Sequence, residues 1–186
     1  CFMSSMDLQV QILQPAPFII IIKEQVYFMK VEKNAVKLMK DLIVKVHDEI
    51  IEKSGGEKGV RDPGGLEHAI FSVFSIDNKE DRPFYTSAKA YQMLGTRHYF
   101  FDGNKRTAHI TAKVFLFLLG RTHLKVHYKD AVNFIISIAD KNKTIKEIEK
   151  WIESNSEHIP EDKTLDEYLN DLESEFKEMR DYMKSN

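Results

Sequence analysis

The chain has 186 residues, a hydrophobic content of 42%, a charged content of 30% and a formal net charge of −2. These values indicate a globular protein with one domain of ordinary size and an appendage. The near-neutral charge argues against nucleic-acid or anionic-membrane binding through bulk electrostatics. The single cysteine, Cys1, excludes an internal disulfide, so we expect a cytoplasmic protein. Because the chain begins with Cys1 and not with methionine, we interpret it as trimmed or as a piece of a longer reading frame.

The first predicted elements are a short β element and an amphipathic helix. Residues 18–31 are rich in β-branched and aromatic side chains, which predicts a strand or hairpin within an N-terminal extension, residues 1–34. From residue 34 onward, apolar residues recur at three- and four-residue steps, which predicts a helix. They are Val36, Met39, Leu42, Ile43, Val46 and Ile50. A glycine-rich turn follows at residues 54–65, and then a short apolar helix at 66–74.

The middle of the chain predicts an all-α domain built around one buried helix. A polar loop at residues 75–83 precedes a helix that starts near Pro83, a favourable first-turn residue. Residues 105–120, KRTAHITAKVFLFLLG, are apolar almost all round, which predicts a central buried helix that ends at Gly120. The stretch at 122–128 is expected to be an extended connector. Two further helices are predicted at 131–139 and 145–152.

The C-terminal segment, residues 154–186, is predicted to be a linker and one amphipathic helix of about five turns. Its apolar residues are spaced four, three, four, three and four, which is a heptad stripe. They are Leu165, Leu169, Leu172, Phe176, Met179 and Met183. Such a stripe serves either a helix folded back on the body or a homodimer formed through this helix, and we favour the first.

The stretch RHYFFDGNKRTAH, residues 97–109, combines aromatic, acidic and basic side chains immediately before the central helix. The first backbone N–H groups of a helix have no partner within it, and the helix dipole favours an anion there. Lys105 adds a compact positive charge, and Arg106 adds a planar fork that suits two phosphate oxygens. Gly103 allows a ligand to approach the backbone closely. Together these features predict a site for a polyphosphate.

Three further residues of this stretch fit phosphorus-group transfer. Asp102 beside phosphates makes sense as a ligand of Mg²⁺, which bridges carboxylate and phosphate oxygens. His98 has an ordinary pKa near neutrality, so it can take a proton from a hydroxyl nucleophile. Phe100 lies between them and is expected to anchor the loop in the core.

Residues 98–106 read H-Y-F-F-D-G-N-K-R, which resembles the H-x-F-x-D-[AG]-N-K-R signature of the Fic/Doc family in its Doc (death on curing) form. The resemblance covers roughly residues 35–153 and includes the first helix and the glycine-rich turn. It implies a Fic/Doc-like helical bundle that uses ATP and Mg²⁺. It also implies a bacterial toxin of a toxin–antitoxin system, which transfers the γ-phosphate to a Ser or Thr of a translation factor.

The resemblance also implies a role for each residue of the signature. His98 would be the general base, Asp102 the Mg²⁺ ligand, and Arg106 a catalytic phosphate-binding residue. The remaining phosphate contacts would come from the Gly103 amide, Asn104 and Lys105. The polar loop at 75–83 corresponds to a flap that aligns the target chain in family members.

Two positions differ from the AMP-transferring Fic form, which has Gly in place of Lys105 and a second Arg in place of His109. That second Arg grips nucleotide phosphates. His109 can face the nucleotide site or pack between helices, and both interpretations stay open. The two departures favour a kinase. A transferase that adds AMP to a hydroxyl is the alternative, and a catalytically idle binding module is the second alternative.

The sequence also bears on control and on a metal alternative. Many Fic proteins carry an inhibitory helix, [ST]-x-x-x-E-[GN], whose Glu pairs with the second Arg. Only Ser174–Glu178 suggests this pattern here, with Met179 in place of Gly or Asn, and His109 replaces the Arg that the Glu would pair with. We therefore expect that the C-terminal helix does not autoinhibit and that a separate antitoxin covers the cleft with a helix. We expect no direct nucleic-acid or membrane partner. His123 and His127 could share a zinc ion on a helix, but no third ligand is evident.

Overall fold

The structure is a computed structural model that describes residues 33–74, 83–160 and 162–185. Within these residues the chain forms eight helices and two short strands, so the all-α prediction is confirmed. In chain order they are α1 (Lys33–Ser54), α2 (Pro63–Phe74), α3 (Pro83–Gly95), α4 (Asn104–Gly120), β1 (Thr122–Leu124), α5 (Tyr128–Ala139), α6 (Ile145–Ser154), β2 (Ser156–His158), α7 (Leu165–Asp171) and α8 (Glu173–Ser185). The predicted β element at 18–31 and nearly all of the predicted flap lie outside the described residues.

Helix α4 is the central helix that the apolar pattern predicts. Every residue from 106 to 117 is buried, and α4 packs on α1, α3, α5, α7 and α8. The helix ends at Gly120, and the next residue, Arg121, has a left-handed backbone with φ of 48°. The Arg121 amide donates to the carbonyls of Leu116 and Phe117, which closes the last turn. The predicted bounds of the helix are therefore confirmed.

Helix α1 places its predicted apolar stripe against α2 and α4. Val36, Ile43, Val46 and Ile50 are buried, which confirms the three- and four-residue period. The helix ends at Ser54, and the chain then passes through the glycine-rich turn to α2. Because α1 and α4 are neighbours in the core, the end of α1 comes to lie beside the beginning of α4.

The predicted extended connector is a strand with a distant partner. Strand β1 pairs in antiparallel register with β2, so that Thr122 faces His158 and Leu124 faces Ser156. The connector prediction is confirmed, but no pattern in the sequence predicts β2. Three-residue strands have too few positions for an alternating pattern to be recognised.

The C-terminal segment forms two helices where the sequence predicts one. Thr164 and Glu167 form a capping box that starts α7, and Leu172 ends that helix before α8 begins. Leu165, Leu169, Leu172, Phe176 and Met179 are buried, and Met183 is partly buried. The stripe therefore packs on the body of the same chain, which agrees with the first of the two interpretations.

Helix α8 packs on α1, α4 and α5, so the C-terminal segment forms part of the body. Lys53 and Glu173 form an ion pair of 2.6 Å between α1 and α8. None of the helices in the described ranges has both the length and the apolarity that crossing a bilayer requires.

Candidate active site

The backbone of the signature stretch is held against the glycine-rich turn. The Arg61 amide donates to the Tyr99 carbonyl at 2.7 Å, and the Phe101 amide donates to the Gly59 carbonyl at 3.2 Å. Val60 and Phe100 form the isolated antiparallel bridge between the two segments. The turn is therefore a structural part of the site and fixes the path of the chain into α4.

Phe100 anchors the loop in the core, as predicted, and its partner is a residue that the sequence did not reveal. Phe100 is 1% exposed and stacks on the His47 ring, with centroids 4.0 Å apart. His47 Nε2 lies 3.2 Å from the Asp102 carbonyl, and Nδ1 lies 3.0 Å from an Asp48 carboxylate oxygen. A carbonyl oxygen can only accept, so Nε2 carries the hydrogen. His47 thus positions both Phe100 and Asp102 from helix α1.

Asn104 holds the loop rather than pointing away from it. Its Oδ1 accepts from the Phe100 amide and its Nδ2 donates to the Phe100 carbonyl, both at 2.9 Å. The expected role of this side chain as a phosphate ligand stays a prediction. Each end of the amide is paired with backbone, so Asn104 fixes the turn that leads into α4, and Nδ2 carries a second hydrogen that a ligand could accept.

The beginning of α4 is shaped for close approach of an anion. Gly103 has φ of 72°, and no side chain caps the helix there. A β-carbon on Gly103 would lie 2.9 Å from Ile51 Cδ1, so the position requires glycine in both conformation and space. The Gly103 amide donates to Asp102 Oδ1 at 2.5 Å, and its expected contact with phosphate stays a prediction. The amides of the first turn of α4 remain as the uncapped donors.

Asp102 lies at the lip of this helix end with half of its side chain exposed. Its Oδ1 accepts from the Gly103 amide, and lies 3.6 Å from Arg106 Nη2. A β-carbon on Gly56 would lie 2.4 Å from Asp102 Oδ2, so the turn packs directly against the carboxylate. A carboxylate that is held in one orientation and remains accessible to solvent suits a Mg²⁺ ion. Such an ion keeps several waters and binds one or two carboxylates.

Arg106 is buried beneath the helix end, with 4% of its surface exposed. Its Nη1 donates to the Ser54 hydroxyl and, at 3.1 Å, to the Gly55 carbonyl. Burial lowers the pKa of the guanidinium, and the Asp102 carboxylate opposes that change. Arginine stays protonated even when its pKa is reduced, so Arg106 brings a fixed positive charge to the beginning of α4.

His98 and Lys105 complete the predicted set. His98 is exposed in the segment between α3 and Phe100, and Lys105 is partly exposed in the first turn of α4. Both side chains are therefore accessible to a ligand. Residues 98–106 come together around one helix end, as the sequence predicts.

His109, in contrast, lies in the interior and away from solvent. It is fully buried, its Nδ1 lies 2.8 Å from the Tyr91 hydroxyl, and its Nε2 lies 3.0 Å from Glu175 Oε1. Burial lowers the pKa of His109, so the neutral ring is favoured, with Nδ1 accepting from Tyr91 and Nε2–H donating to Glu175. The helix-packing interpretation fits this geometry. The expectation of a phosphate contact does not, because both ring nitrogens are taken.

Glu175 joins α8 to the same face of α4 through a second partner. Lys113 Nζ lies 2.5 Å from Glu175 Oε2, and the lysine side chain is 2% exposed. Burial alone would raise the pKa of Glu175, but His109 and Lys113 outweigh it and lower the pKa to about 2. The carboxylate is therefore ionised, and the lysine supplies its counter-charge.

Glu178, the glutamate that the sequence singled out, does not pair with His109. It is exposed and lines a cavity of about 610 Å³, which none of the residues 98–106 line. The glutamate that reaches His109 is Glu175, one helical turn earlier. The expectation of a solvated Glu178 fits the structure. The contact between Glu175 and His109 could not be predicted from the inhibitory pattern, because Glu175 does not fit that pattern.

The two histidines considered for zinc have other partners. His123 Nδ1 lies 3.0 Å from the Tyr168 hydroxyl, and His127 caps the start of α5. Within the described ranges, no group of three or more potential ligands could hold a metal ion.

Comparison with known proteins agrees with the geometry of this site. Residues 37–116 match the family model described as Fic/DOC family. The match runs from α1 through the glycine-rich turn and the signature into α4, and so includes His47, the turn and the whole of residues 98–106. The match covers 80 of the 186 residues, so over this part the chain is similar to the Fic/Doc family. No curated protein matches the sequence.

Proposed function

We propose that this protein is an ATP-dependent transferase that moves the γ-phosphoryl group of ATP to a Ser or Thr hydroxyl of another protein. The observation that carries the proposal is the beginning of α4. There, uncapped amides, the buried Arg106 guanidinium and the half-exposed Asp102 carboxylate lie within one helical turn. A triphosphate satisfies the amides and the guanidinium together.

The roles of the residues follow from their chemistry. His98 accepts the proton of the attacking Ser or Thr hydroxyl. The hydroxyl oxygen forms a bond to the γ-phosphorus, while the bond between the γ-phosphorus and the bridging oxygen breaks and ADP leaves. Arg106, Lys105 and the first amides of α4 stabilise the charge on the phosphoryl oxygens. Asp102 would hold Mg²⁺, which, when bound, neutralises charge on the phosphates.

The kinase reaction is favoured over AMP transfer by residues 105 and 109. Lys105 stands where the AMP-transferring form has glycine. His109 stands where that form has an arginine, and its ring nitrogens are engaged by Tyr91 and Glu175. It therefore adds no positive charge for phosphates. AMP transfer remains the alternative function, and an idle binding module is disfavoured because such a module has no need of an exposed base at His98.

A toxin role, with a translation factor as target and an antitoxin as partner, belongs to the same proposal. It rests on the resemblance of residues 98–106 to the Doc signature. The accessible helix end is a surface that a separate inhibitor could cover.

The test is to supply ATP labelled at either the α or the γ phosphate to the protein in a bacterial extract, and to follow label on protein. We expect transfer only from γ-labelled ATP, and transfer only from α-labelled ATP would establish the alternative. His98→Ala should reduce the rate by about 10²–10⁴-fold with little change in ATP affinity. His68→Ala is the matched control, because His68 is an exposed histidine of α2 outside the signature. Equal transfer by the two variants would refute the role of His98.

A further inference from the structure

Helix α8 brings a second guanidinium to the end of α1. A β-carbon on Gly55 would lie 3.1 Å from Cζ and from both terminal nitrogens of Arg180. These equal distances mean that the flat face of the guanidinium lies over Gly55, so its N–H bonds point sideways and not at the glycine. Gly55 has φ of 79°, a left-handed backbone conformation that favours glycine.

Arg106 contacts the same glycine. Its Nη1 donates to the Gly55 carbonyl, so the two guanidinium groups share one residue as a neighbour. Burial lowers the pKa of Arg106, Asp102 raises it, and the nearby positive charge of Arg180 lowers it further. Two like charges beside the same residue repel each other unless a negative charge lies between or beside them.

The counter-charge that the protein itself provides is small. Asp102, at 3.6 Å, is the carboxylate that pairs with Arg106, and no carboxylate in the described ranges forms an ion pair with Arg180. The other charges of α8 that face the body are paired, Glu173 with Lys53 and Glu175 with Lys113. These pairs hold α8 in place and thereby hold Arg180 near Arg106. Among the residues that the structure describes, none forms an ion pair with Arg180.

We propose that Arg180 is a phosphate-binding residue of this site, and that Arg106 and Arg180 together clamp the polyphosphate of the nucleotide. The inference rests on the proposed function for the identity of the nucleotide. It does not depend on which phosphorus is attacked. Guanidinium groups suit this task because each offers paired N–H donors in a rigid plane, which match two phosphate oxygens at once. The C-terminal helix therefore completes the site from outside the signature.

The experiment compares Arg180→Ala with Lys177→Ala in the full chain. Lys177 is an exposed cation of the same helix, so the control removes the same charge and leaves the clamp intact. Binding of Mg·ATP and of inorganic tripolyphosphate is measured by calorimetry, and circular dichroism establishes that both variants are folded. We expect Arg180→Ala to weaken both ligands about tenfold or more, Lys177→Ala to change them less than twofold, and Arg180→Lys to fall between.

Several outcomes would overturn the inference. They are equal affinities for Arg180→Ala and Lys177→Ala, tighter binding or faster transfer by Arg180→Ala, and failure of the parent protein to bind either ligand. Its failure is distinguishable from failure of the proposed function. If the parent transfers label and Arg180→Ala does so with an unchanged KM for ATP, only the clamp is refuted. If the clamp measurements hold but no protein hydroxyl is labelled, only the proposed reaction is refuted.

Discussion

Removal of the Glu175 carboxylate should destabilise the fold through the lysine that it leaves behind. In Glu175→Ala, the ammonium of Lys113 remains buried, with 2% of its side chain exposed, and has lost its counter-charge. Breaking a buried ion pair in this way typically costs about 3–5 kcal/mol. The buried His109 Nε2–H also loses its acceptor.

The chemistry of lysine sets a ceiling on this cost. Lys113 can escape by releasing its proton, and an ordinary lysine pKa of about 10.4 lies roughly 3.4 pH units above pH 7, at about 1.36 kcal/mol for each unit. The charge penalty therefore cannot exceed about 5 kcal/mol. For a chain of this size, a loss of 3–5 kcal/mol lowers Tm by about 6–20 °C.

The assay is urea unfolding at pH 7, followed by circular dichroism, with thermal unfolding as a second measurement. Glu178→Ala is the control, because Glu178 is an exposed glutamate of the same helix, and we expect it to change the free energy of unfolding by less than about 0.5 kcal/mol. If Glu175→Ala does not fold, the double variant Glu175→Leu/Lys113→Met should, because it leaves no buried charge. A loss below 1 kcal/mol in Glu175→Ala would refute the reasoning, as would a double variant that unfolds as readily as the single one.

Three other outcomes are expected. The pKa of Glu175 is lowered to about 2 in the folded protein, so its contribution is complete above the unfolded value near 4.5 and is lost as pH falls towards 2. Urea unfolding between pH 5 and pH 2 should therefore show about 3 kcal/mol less acid dependence in Glu175→Gln than in the parent. Asn104→Ala removes two hydrogen bonds to the Phe100 backbone, so the free energy of unfolding should fall by about 1–3 kcal/mol. The rate of label transfer should fall more than the affinity for ATP, and equal losses in both would contradict the loop-fixing role. His47→Phe keeps a ring against Phe100 but loses the contact with the Asp102 carbonyl, so label transfer should fall while Tm changes by only a few degrees; unchanged transfer would argue against His47 as a positioning residue.

The helices of the core could be predicted from the sequence because their signals are local. The period of the stripe in α1, the all-round apolarity of α4 and the glycine at its end each depend on residues a few positions apart. The candidate site residues at 98–106 could be proposed from the sequence for the same reason. They are contiguous, and the start of a helix gathers contiguous residues around its amides.

What the sequence did not reveal depends on contacts between distant segments. His47 meets Asp102, and Glu175 meets Lys113, across more than fifty residues in each case. No periodicity records such a pairing. The break at Leu172 was missed because a stripe with steps of three and four is compatible both with one helix and with two helices that bury the same residues. The hydrogen bonds of Asn104 to the Phe100 backbone could not be predicted, because a side-chain amide can bind phosphate oxygens or backbone groups equally well.

The contact between Gly56 and Asp102 has a consequence for any attempt to redesign this protein. Any side chain at Gly56 would displace the Asp102 carboxylate. The turn after α1 is therefore as important for the position of Asp102 as the signature itself. A mutant library that randomises this turn would produce inactive variants. In these variants, residues 98–106 would be unchanged and the helices correctly formed. Grafting residues 98–106 onto another helical scaffold would fail for the same reason unless the glycine turn were transplanted with them. The transferable unit is a pair of segments about forty residues apart, and neither segment encodes the site alone.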